Sequence, residues 1–223
     1  THPFHKESGT VTVNNIYPGE GFAAFSGRNF YSVGLHPWHI KSPEENNQRL
    51  LMVEDALEFD HVIFVGECGL DKVVKTDFSE QLRVFEAQAF MAEDFEYPLI
   101  IHCVKAYNEI LEIHKKMNPA MPWIMHAYNG NITLTKQFMI EGFLFSFGEN
   151  LFKSNAKVKE SFKFLPLEKI FFETDENPGD VLKMYEQGAL LKNVSIEDLK
   201  RSVWENFNRI EKSNPMYSNY NSS

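Results

Sequence analysis

Five ionisable side chains, three imidazoles and two carboxylates, each fall at or just past the carboxyl end of a different short apolar run. If the runs are parallel strands of a barrel, these ends meet at the face where active sites are built. Imidazole nitrogens and carboxylate oxygens suit divalent zinc, manganese or magnesium. One such histidine is more often structural, but the coincidence of five favours a metal-dependent hydrolase. The five are His36, Glu67, His102, His126 and Asp175.

The two carboxylates stand in distinctive local sequences. Glu67 directly follows Gly66, and Gly69 stands two residues after it. Glycine lets a backbone approach a site closely and turn sharply. Asp175 is presented where the last apolar run breaks. Such an acid can bind a metal and accept a proton from water whose acidity the metal raises.

The apolar runs predict the elements that position these side chains. Each run is β-branched or aromatic and apolar on both faces, which is typical of a strand buried on both sides. Strands alternate with helical segments and no linker composition intervenes, so we predict one α/β domain with a parallel sheet. The runs cover 30–35, 61–66, 98–102, 123–126, 142–147 and 169–175, with a weaker candidate at 10–16. The helices are predicted over 43–59, 79–96, 107–117, 133–141, 155–164, 181–187 and 195–210.

The number of strands bears on the architecture. Seven candidates are one short of the eight that a barrel needs. A doubly wound open sheet is the alternative, but no glycine-rich phosphate loop follows any strand. The domain is predicted to span 1–212, and the Ser-, Asn- and Tyr-rich segment 213–223 is predicted to be a disordered tail.

Composition narrows the function classes. The formal charge of −9 argues against a broad basic surface wrapping nucleic acid, but not against a phosphate substrate bridged by metal. No apolar stretch is long enough for a membrane span, and no basic-then-apolar segment marks the chain for export, so neither membrane insertion nor export is expected. Two cysteines, Cys68 and Cys103, cannot form a disulfide framework, and they fit a cytoplasmic location.

The same segments resemble, in order, those of the TatD family of metal-dependent hydrolases over residues 31 to 210. The resemblance implies a distorted TIM barrel, a binuclear metal site, and hydrolysis of DNA phosphodiester bonds by metal-activated water, typically from an end. The segments are 32–38, 66–71, 100–106, 126–130, 173–175 and 204–209, similar to the family's GxHP, GExGLD, IHxxxA, HxFxG, ETD and ENxxR patterns.

By resemblance, the metals and the catalytic groups are assigned residue by residue. Glu67 resembles the bridging glutamate, and His102 and His126 resemble the ligands of one metal. Asp175 is similar to the aspartate that binds the other metal and activates water. Glu67 and Asp175 are therefore the expected catalytic residues, with two zinc, manganese or magnesium ions as cofactors.

Substrate contacts follow from the same resemblance. His36 resembles the histidine near the scissile phosphate, and Lys105 would offer it a cation. Trp38 and Tyr128, at strand ends, could stack on bases, although simple packing is the commoner use of such aromatic residues.

The amino terminus departs from the family pattern. The family opens with a strand ending in His-x-His, and here His2 suits the second histidine while the first strand and first histidine are missing. That strand is the eighth that the barrel lacks, so the second metal site is expected to be incomplete. Alternatively His2 and His5 form the pair, with Pro3 and the spacing against it.

Four other residues are predicted to be supporting groups. Cys68 and Cys103 follow proposed ligands, and strand alternation turns them away into packing positions. Glu173 faces the same side as Asp175 and would support it. Asn206 is expected to tie the last helix to the barrel.

Two further functions remain open on the sequence. The same barrel and metals could hydrolyse a small-molecule ester, amide or cyclic phosphate. A degenerate, non-catalytic metal-binding barrel is the other alternative, supported by the missing histidine. DNA or a nucleotide is the expected partner, no membrane is expected, and a monomer is favoured.

Overall fold

The computed structural model of the protein describes residues 10–18, 30–151, 156–174 and 181–212. They fall into two compact units, divided between Met121 and Pro122. The predicted single domain stays a prediction. The predicted tail at 213–223 lies outside the described residues.

The first unit is a parallel sheet of four strands with three helices. The strands pair in sequence order, β1 with β2, β2 with β3 and β3 with β4. They are β1 (Val13–Ile16), β2 (Phe30–Val33), β3 (Val62–Asp71) and β4 (Leu99–Val104), and the helices are α1 (Pro43–Leu57), α2 (Phe78–Asp94) and α3 (Tyr107–Met117).

The second unit continues the alternation of strand and helix. Its strands also pair in parallel and in sequence order, β5 with β6 and β6 with β7. They are β5 (Trp123–Met125), β6 (Leu144–Phe147) and β7 (Ile170–Phe172), and the helices are α4 (Ile132–Ile140), α5 (Ala156–Phe164), α6 (Val181–Lys192) and α7 (Ile196–Lys212). All seven strand candidates are therefore confirmed within the described residues.

Side-chain caps start the helices near the predicted positions. The Ser42 hydroxyl accepts a hydrogen bond from the Glu45 amide at 3.3 Å, and Pro43 occupies the first turn of α1. This satisfies one of the amides that lack a partner inside the helix. Asp77 caps α2 in the same way, so that helix begins one residue earlier than predicted.

Apolar side chains fill both units. Every residue of β3 is buried, as expected for a strand covered on both faces. In the second unit, phenylalanine rings meet edge to face, for example Phe138 with Phe143 at 4.6 Å between centroids and Phe147 with Phe162 at 5.0 Å. This packing accounts for part of the high phenylalanine content of the sequence.

β3 differs from the prediction in a way that matters for the site. The strand was expected to end at Gly66, with Glu67 just beyond it, but it runs on to Asp71. Its register against β4 is irregular between Val65 and Cys68, and the strand then continues. The reason is that a glycine can remain in a strand where neighbouring backbones come too close for a side chain. Glu67 therefore lies inside β3, and the predicted turn after it is wrong.

Among the helices of the described ranges, none combines the length and the apolar character that crossing a membrane requires.

Candidate metal centre

Three of the predicted site residues meet in the first unit. His36 follows β2, Glu67 lies in β3, and His102 lies in β4. One ligand atom from each lies within 4.8 Å of the others. Glu67 Oε1 is 3.1 Å from His102 Nδ1 and 3.7 Å from His36 Nε2, and the two imidazole centroids are 4.3 Å apart. His36 and Glu67 are buried, and His102 is nearly so.

Close backbone packing makes this cluster possible. A Cβ atom placed on Gly34 would lie 2.6 Å from the Cα of Gly66, and one on Gly66 would lie 2.4 Å from the Ile100 carbonyl oxygen. Neither distance is tolerable for a carbon atom. The segment after β2 can therefore approach β3, and β3 can approach β4, only because these positions carry no side chain. The prediction of close approach around Glu67 is confirmed.

Glu67 is also fixed through its backbone by β1. Its amide donates to the side-chain oxygen of Asn15 at 2.7 Å, and the Ser32 hydroxyl donates to the same oxygen at 3.1 Å. No role for Asn15 is predictable from the sequence, because a 52-residue separation hides the pairing. The only signal was its position in an alternating strand.

Asp71 also belongs to this site, although it is not among the predicted site residues. Its Oδ2 accepts a hydrogen bond from Trp38 Nε1 at 2.9 Å and lies 3.3 Å from His102 Nε2, while its Oδ1 accepts from the Val73 amide at 2.8 Å. Burial alone would raise the pKa of Asp71, but the hydrogen bonds from Trp38, Val73 and His102 outweigh it and lower the pKa. Glu67 and Asp71 are four residues apart, and residues an even number of positions apart in a strand lie on the same face. This relation could be recognised only from the structure, in which β3 extends past Gly66 to Asp71.

His102 has a carboxylate on each side of its ring. Nε2 lies 3.3 Å from Asp71 Oδ2 and Nδ1 lies 3.1 Å from Glu67 Oε1, and an ionised carboxylate only accepts. When the ring proton is on Nε2 and is donated to Asp71, the lone pair is on Nδ1 and faces Glu67. Two electron-pair donors at this distance repel each other unless a cation or a proton lies between them. His102 and Glu67 thus fit a divalent cation, and Asp71 is the supporting carboxylate that histidine ligands ordinarily have.

His36 has the opposite arrangement. Its Nδ1 accepts a hydrogen bond from the Trp38 amide at 3.2 Å, so the neutral ring carries its proton on Nε2, towards Glu67. Burial lowers the pKa of His36 below its ordinary 6.5, against the opposing effect of the nearby Glu67 carboxylate. A neutral Nε2–H is a donor rather than a ligand. This is consistent with the predicted substrate contact, which stays a prediction.

Replacing Asp71 by asparagine should weaken metal binding without unfolding the protein. Both carboxylate oxygens accept N–H groups, so the amide nitrogen of asparagine would face a donor whichever way it turned. We expect metal affinity to fall roughly 10- to 100-fold, the usual effect of removing a carboxylate that supports a histidine ligand. Titration calorimetry with Zn²⁺ or Mn²⁺ measures this. Asp55→Asn, the same change on the exposed side of α1, is the matched control. Equal affinities in the two variants would contradict the role given to Asp71.

The remaining predicted residues lie elsewhere or outside the described residues. Lys105 is exposed immediately after β4, with a left-handed φ of 56°, and its substrate contact stays a prediction. Asp175 and His2 lie outside the described residues, so their roles as ligands also stay predictions.

His126 has a carboxylate partner in the second unit. It follows β5, and its Nδ1 lies 2.8 Å from Oε2 of Glu173, the oxygen that also accepts from the Ala127 amide at 3.2 Å. A proton on Nδ1 places the lone pair of the neutral ring on Nε2, the arrangement common among histidine ligands. Glu173 was predicted to support Asp175, whereas the described contact is with His126. The shared oxygen was not predictable from residues 47 positions apart.

The supporting residues are placed largely as predicted. Burial raises the pKa of the Cys68 thiol, and it raises the pKa of the Cys103 thiol to about 12. Both residues therefore carry little of the thiolate that catalysis would need. Tyr128 is buried, and its hydroxyl is 2.9 Å from that of Thr135, so it packs rather than stacks on a base. Asn206 holds α7 to the start of β7 by donating to the carbonyl oxygens of Leu167 and Ile170.

The protein resembles solved structures of known fold. It matches the structure of YJJV, a TatD homologue from Escherichia coli K12, with a TM-score of 0.79 and 18% identity, over 90% of this chain and 85% of that one. It matches a TatD family hydrolase from Entamoeba histolytica with a TM-score of 0.71 and 18% identity, over 82% and 75% of the two chains. These similarities confirm the predicted α/β fold of the TatD-like TIM-barrel type.

Sequence comparison gives the family. A protein of Haemophilus influenzae named an uncharacterized metal-dependent hydrolase is 26% identical, over 90% of this chain and 82% of that protein. The human 3'-5' RNA nuclease TATDN2 is 33% identical over 65% of this chain, which corresponds to 19% of its own length. The model of TatD-related DNases matches residues 20–212. The chain therefore belongs to the TatD-related DNase family, as the resemblance of its six segments had predicted.

Proposed function

We propose that this protein is a metal-dependent hydrolase that cleaves phosphodiester bonds of nucleic acid. The observation that carries the proposal is the contact of Glu67 Oε1 with His102 Nδ1 at 3.1 Å, in a pair whose histidine is held by Asp71 through its other nitrogen. That arrangement requires a cation or a proton between the two groups. The family description names DNases, and the relatives carry the names of metal-dependent hydrolases and of a nuclease.

The residues of the first unit divide the work between them. Glu67 and His102 would hold a divalent cation, which supplies Lewis acidity and lowers the pKa of water when bound. His36 presents its Nε2–H beside Glu67, where it can donate to a phosphate oxygen. Asp71 keeps His102 in the orientation and protonation state of a ligand. His126, Asp175 and His2 are proposed as further ligands on the resemblance, and Lys105 as a cation for the phosphate.

DNA is the proposed substrate, and RNA is its alternative within the same chemistry. The description of the family supports DNA, whereas the printed name of the human relative supports RNA. A site that holds a phosphate and donates to its oxygens acts on atoms that both polymers share. Discrimination between them would require contact with the 2′-hydroxyl of the sugar.

The test is release of nucleotides from end-labelled single strands of DNA and RNA of identical sequence. The protein is stripped with EDTA and assayed alone and with Mn²⁺, Mg²⁺ or Zn²⁺. We expect cleavage that requires added metal and that falls about 10²- to 10³-fold in His36→Ala, the usual effect of losing a donor to a developing negative charge. His61→Ala, outside the cluster at the start of β3, is the matched control. If neither polymer is cut with any metal, the nuclease proposal is wrong, and small-molecule esters are then the substrates to examine.

A further inference from the structure

Trp38 is a large aromatic side chain that is exposed beside the metal centre. Its exposed fraction is 56%, although burying an indole ordinarily stabilises a fold. It lies in a short 3₁₀ turn, Pro37–His39, directly after His36. Isolated exposed aromatic residues need no explanation, but this one is both exposed and firmly held.

Three contacts hold the indole in place. The indole Nε1 donates to Asp71 Oδ2 at 2.9 Å, and the backbone amide of Trp38 donates to His36 Nδ1 at 3.2 Å. The turn itself is anchored by the Thr76 hydroxyl, which donates to the Pro37 carbonyl oxygen at 3.1 Å. An indole fixed at its ring nitrogen and at its backbone loses little further rotamer freedom when a ligand packs against it.

The indole lies close to both imidazoles of the site and nearly perpendicular to them. Its centroid is 5.0 Å from that of His36 at an interplanar angle of 87°, and 5.9 Å from that of His102 at 75°. Neither imidazole is therefore stacked in parallel on the indole. A flat group that stacks on the exposed part of Trp38 would lie next to the cluster.

We propose that Trp38 is the stacking platform for the nucleobase next to the cleaved phosphodiester bond. This inference rests on the proposed nuclease function. A base is joined to its phosphate through one sugar, so a base stacked on the indole keeps that phosphate within reach of Glu67 and His36. The contact requires no basic surface, which suits a chain whose formal charge is −9. Every base has a flat face that can stack, so the subsite would accept any base and would discriminate only between a nucleotide with a base and one without.

The enzyme should consequently discriminate against a missing base. Stacking of one base on an aromatic side chain changes affinity roughly 5- to 150-fold. The two substrates are single strands that are identical except for an abasic site at the nucleotide next to the cleaved bond. The wild-type protein is expected to favour the strand with the base by that factor, through KM rather than kcat, because stacking acts equally on the bound ground state and transition state.

Variants at Trp38 separate stacking from a structural role. Trp38→Leu should cut both strands with similar kcat/KM, and Trp38→Phe, which keeps a ring but loses the hydrogen bond to Asp71, should retain a preference for the base. Trp204→Leu is the control, since Trp204 is 50% exposed but lies on α7. An unchanged preference in Trp38→Leu would overturn the proposal. The proposal would also be overturned if kcat/KM fell equally on the base-bearing and the abasic strand, so that the ratio of the two values stayed as in the wild type.

A binding measurement tests the platform independently of cleavage. Indole fluorescence is titrated with the base-bearing strand in EDTA, where no turnover occurs. Quenching is expected in the wild type and in Trp204→Leu, and its absence in Trp38→Leu. If quenching is seen without cleavage under any metal, the platform stands and the nuclease function fails. If cleavage is seen with no base preference and no quenching, the nuclease function stands and the platform fails.

Discussion

Replacing Glu67 by glutamine is expected to abolish most of the activity and to remove bound metal. Glutamine has nearly the same shape, but it lacks the negative charge that attracts a cation. The same side-chain atom of residue 67 faces His36 Nε2–H, which needs an acceptor, and the metal-binding nitrogen of His102. An amide NH₂ at that place would oppose the His36 donor, and an amide oxygen there would be a weaker metal ligand than a carboxylate. We expect kcat to fall at least about 10²- to 10³-fold, the usual loss when one electrostatic contributor of an active site is removed.

Two measurements check this result and separate it from unfolding. Elemental analysis after gel filtration gives metal per protein, and thermal unfolding gives the stability. Metal content should fall while the variant remains folded. Glu112→Gln, which makes the same change on the exposed face of α3, should behave as the wild type. A Glu67→Gln protein with full metal content and wild-type kcat would show that Glu67 is not a ligand.

Replacing Gly69 by alanine is expected to prevent folding or to cost at least about 4 kcal/mol of unfolding free energy, the range of exceptional substitutions. Gly69 has a φ of 150°, and a Cβ there would lie 1.9 Å from the carbonyl oxygen of His102 and 2.8 Å from its carbonyl carbon. Gly69 and His102 are register partners of β3 and β4. The backbone of His102, a proposed metal ligand, would have to move, so relaxation would separate His102 from Glu67.

Gly142→Ala is the control that isolates backbone conformation from collision. Gly142 also has a positive φ, of 91°, but a Cβ there would meet no atom within 4 Å. Its substitution should cost only the conformational strain, about 1–3 kcal/mol. Urea denaturation of both variants compares the two costs. Similar stabilities for Gly69→Ala and Gly142→Ala would mean that β3 and β4 do not pack as closely as described.

The local elements were largely predictable because their signals lie within a few residues. Helix α3 occupies 107–117 as predicted, and α1 begins at the predicted Pro43, with Ser42 as its cap. The strands were recognisable because residues that are apolar on both faces leave few other options in a soluble chain. The end of β3 was not predicted because a glycine such as Gly66 is locally typical of the end of a strand. In the structure the strand continues, and Gly66 is the position where β3 and β4 approach closely.

The contacts that hold the predicted site residues of each unit could not be read from local sequence patterns. Asn15, Asp71 and Glu173 each hold a predicted residue through a hydrogen bond between different elements. Such partners depend on strand register, and a shift of one residue would reverse the face on which each side chain lies. The position of His102 between Asp71 and Glu67, with one carboxylate at each ring nitrogen, is likewise stated by no sequence motif.

The sequence by itself determined the strand–helix alternation, the family, and the candidate residues His36, Glu67 and His102, because apolar patterning and six ordered segments are local properties. Tertiary structure decided which of their atoms meet, which groups face each imidazole nitrogen, and that the indole of Trp38 is held beside them. The physical reason is distance along the chain. The contacts of Glu67 with Asn15 and with His102 span 52 and 35 residues, and the close packing of the strands at Gly34, Gly66 and Gly69 brings those residues together.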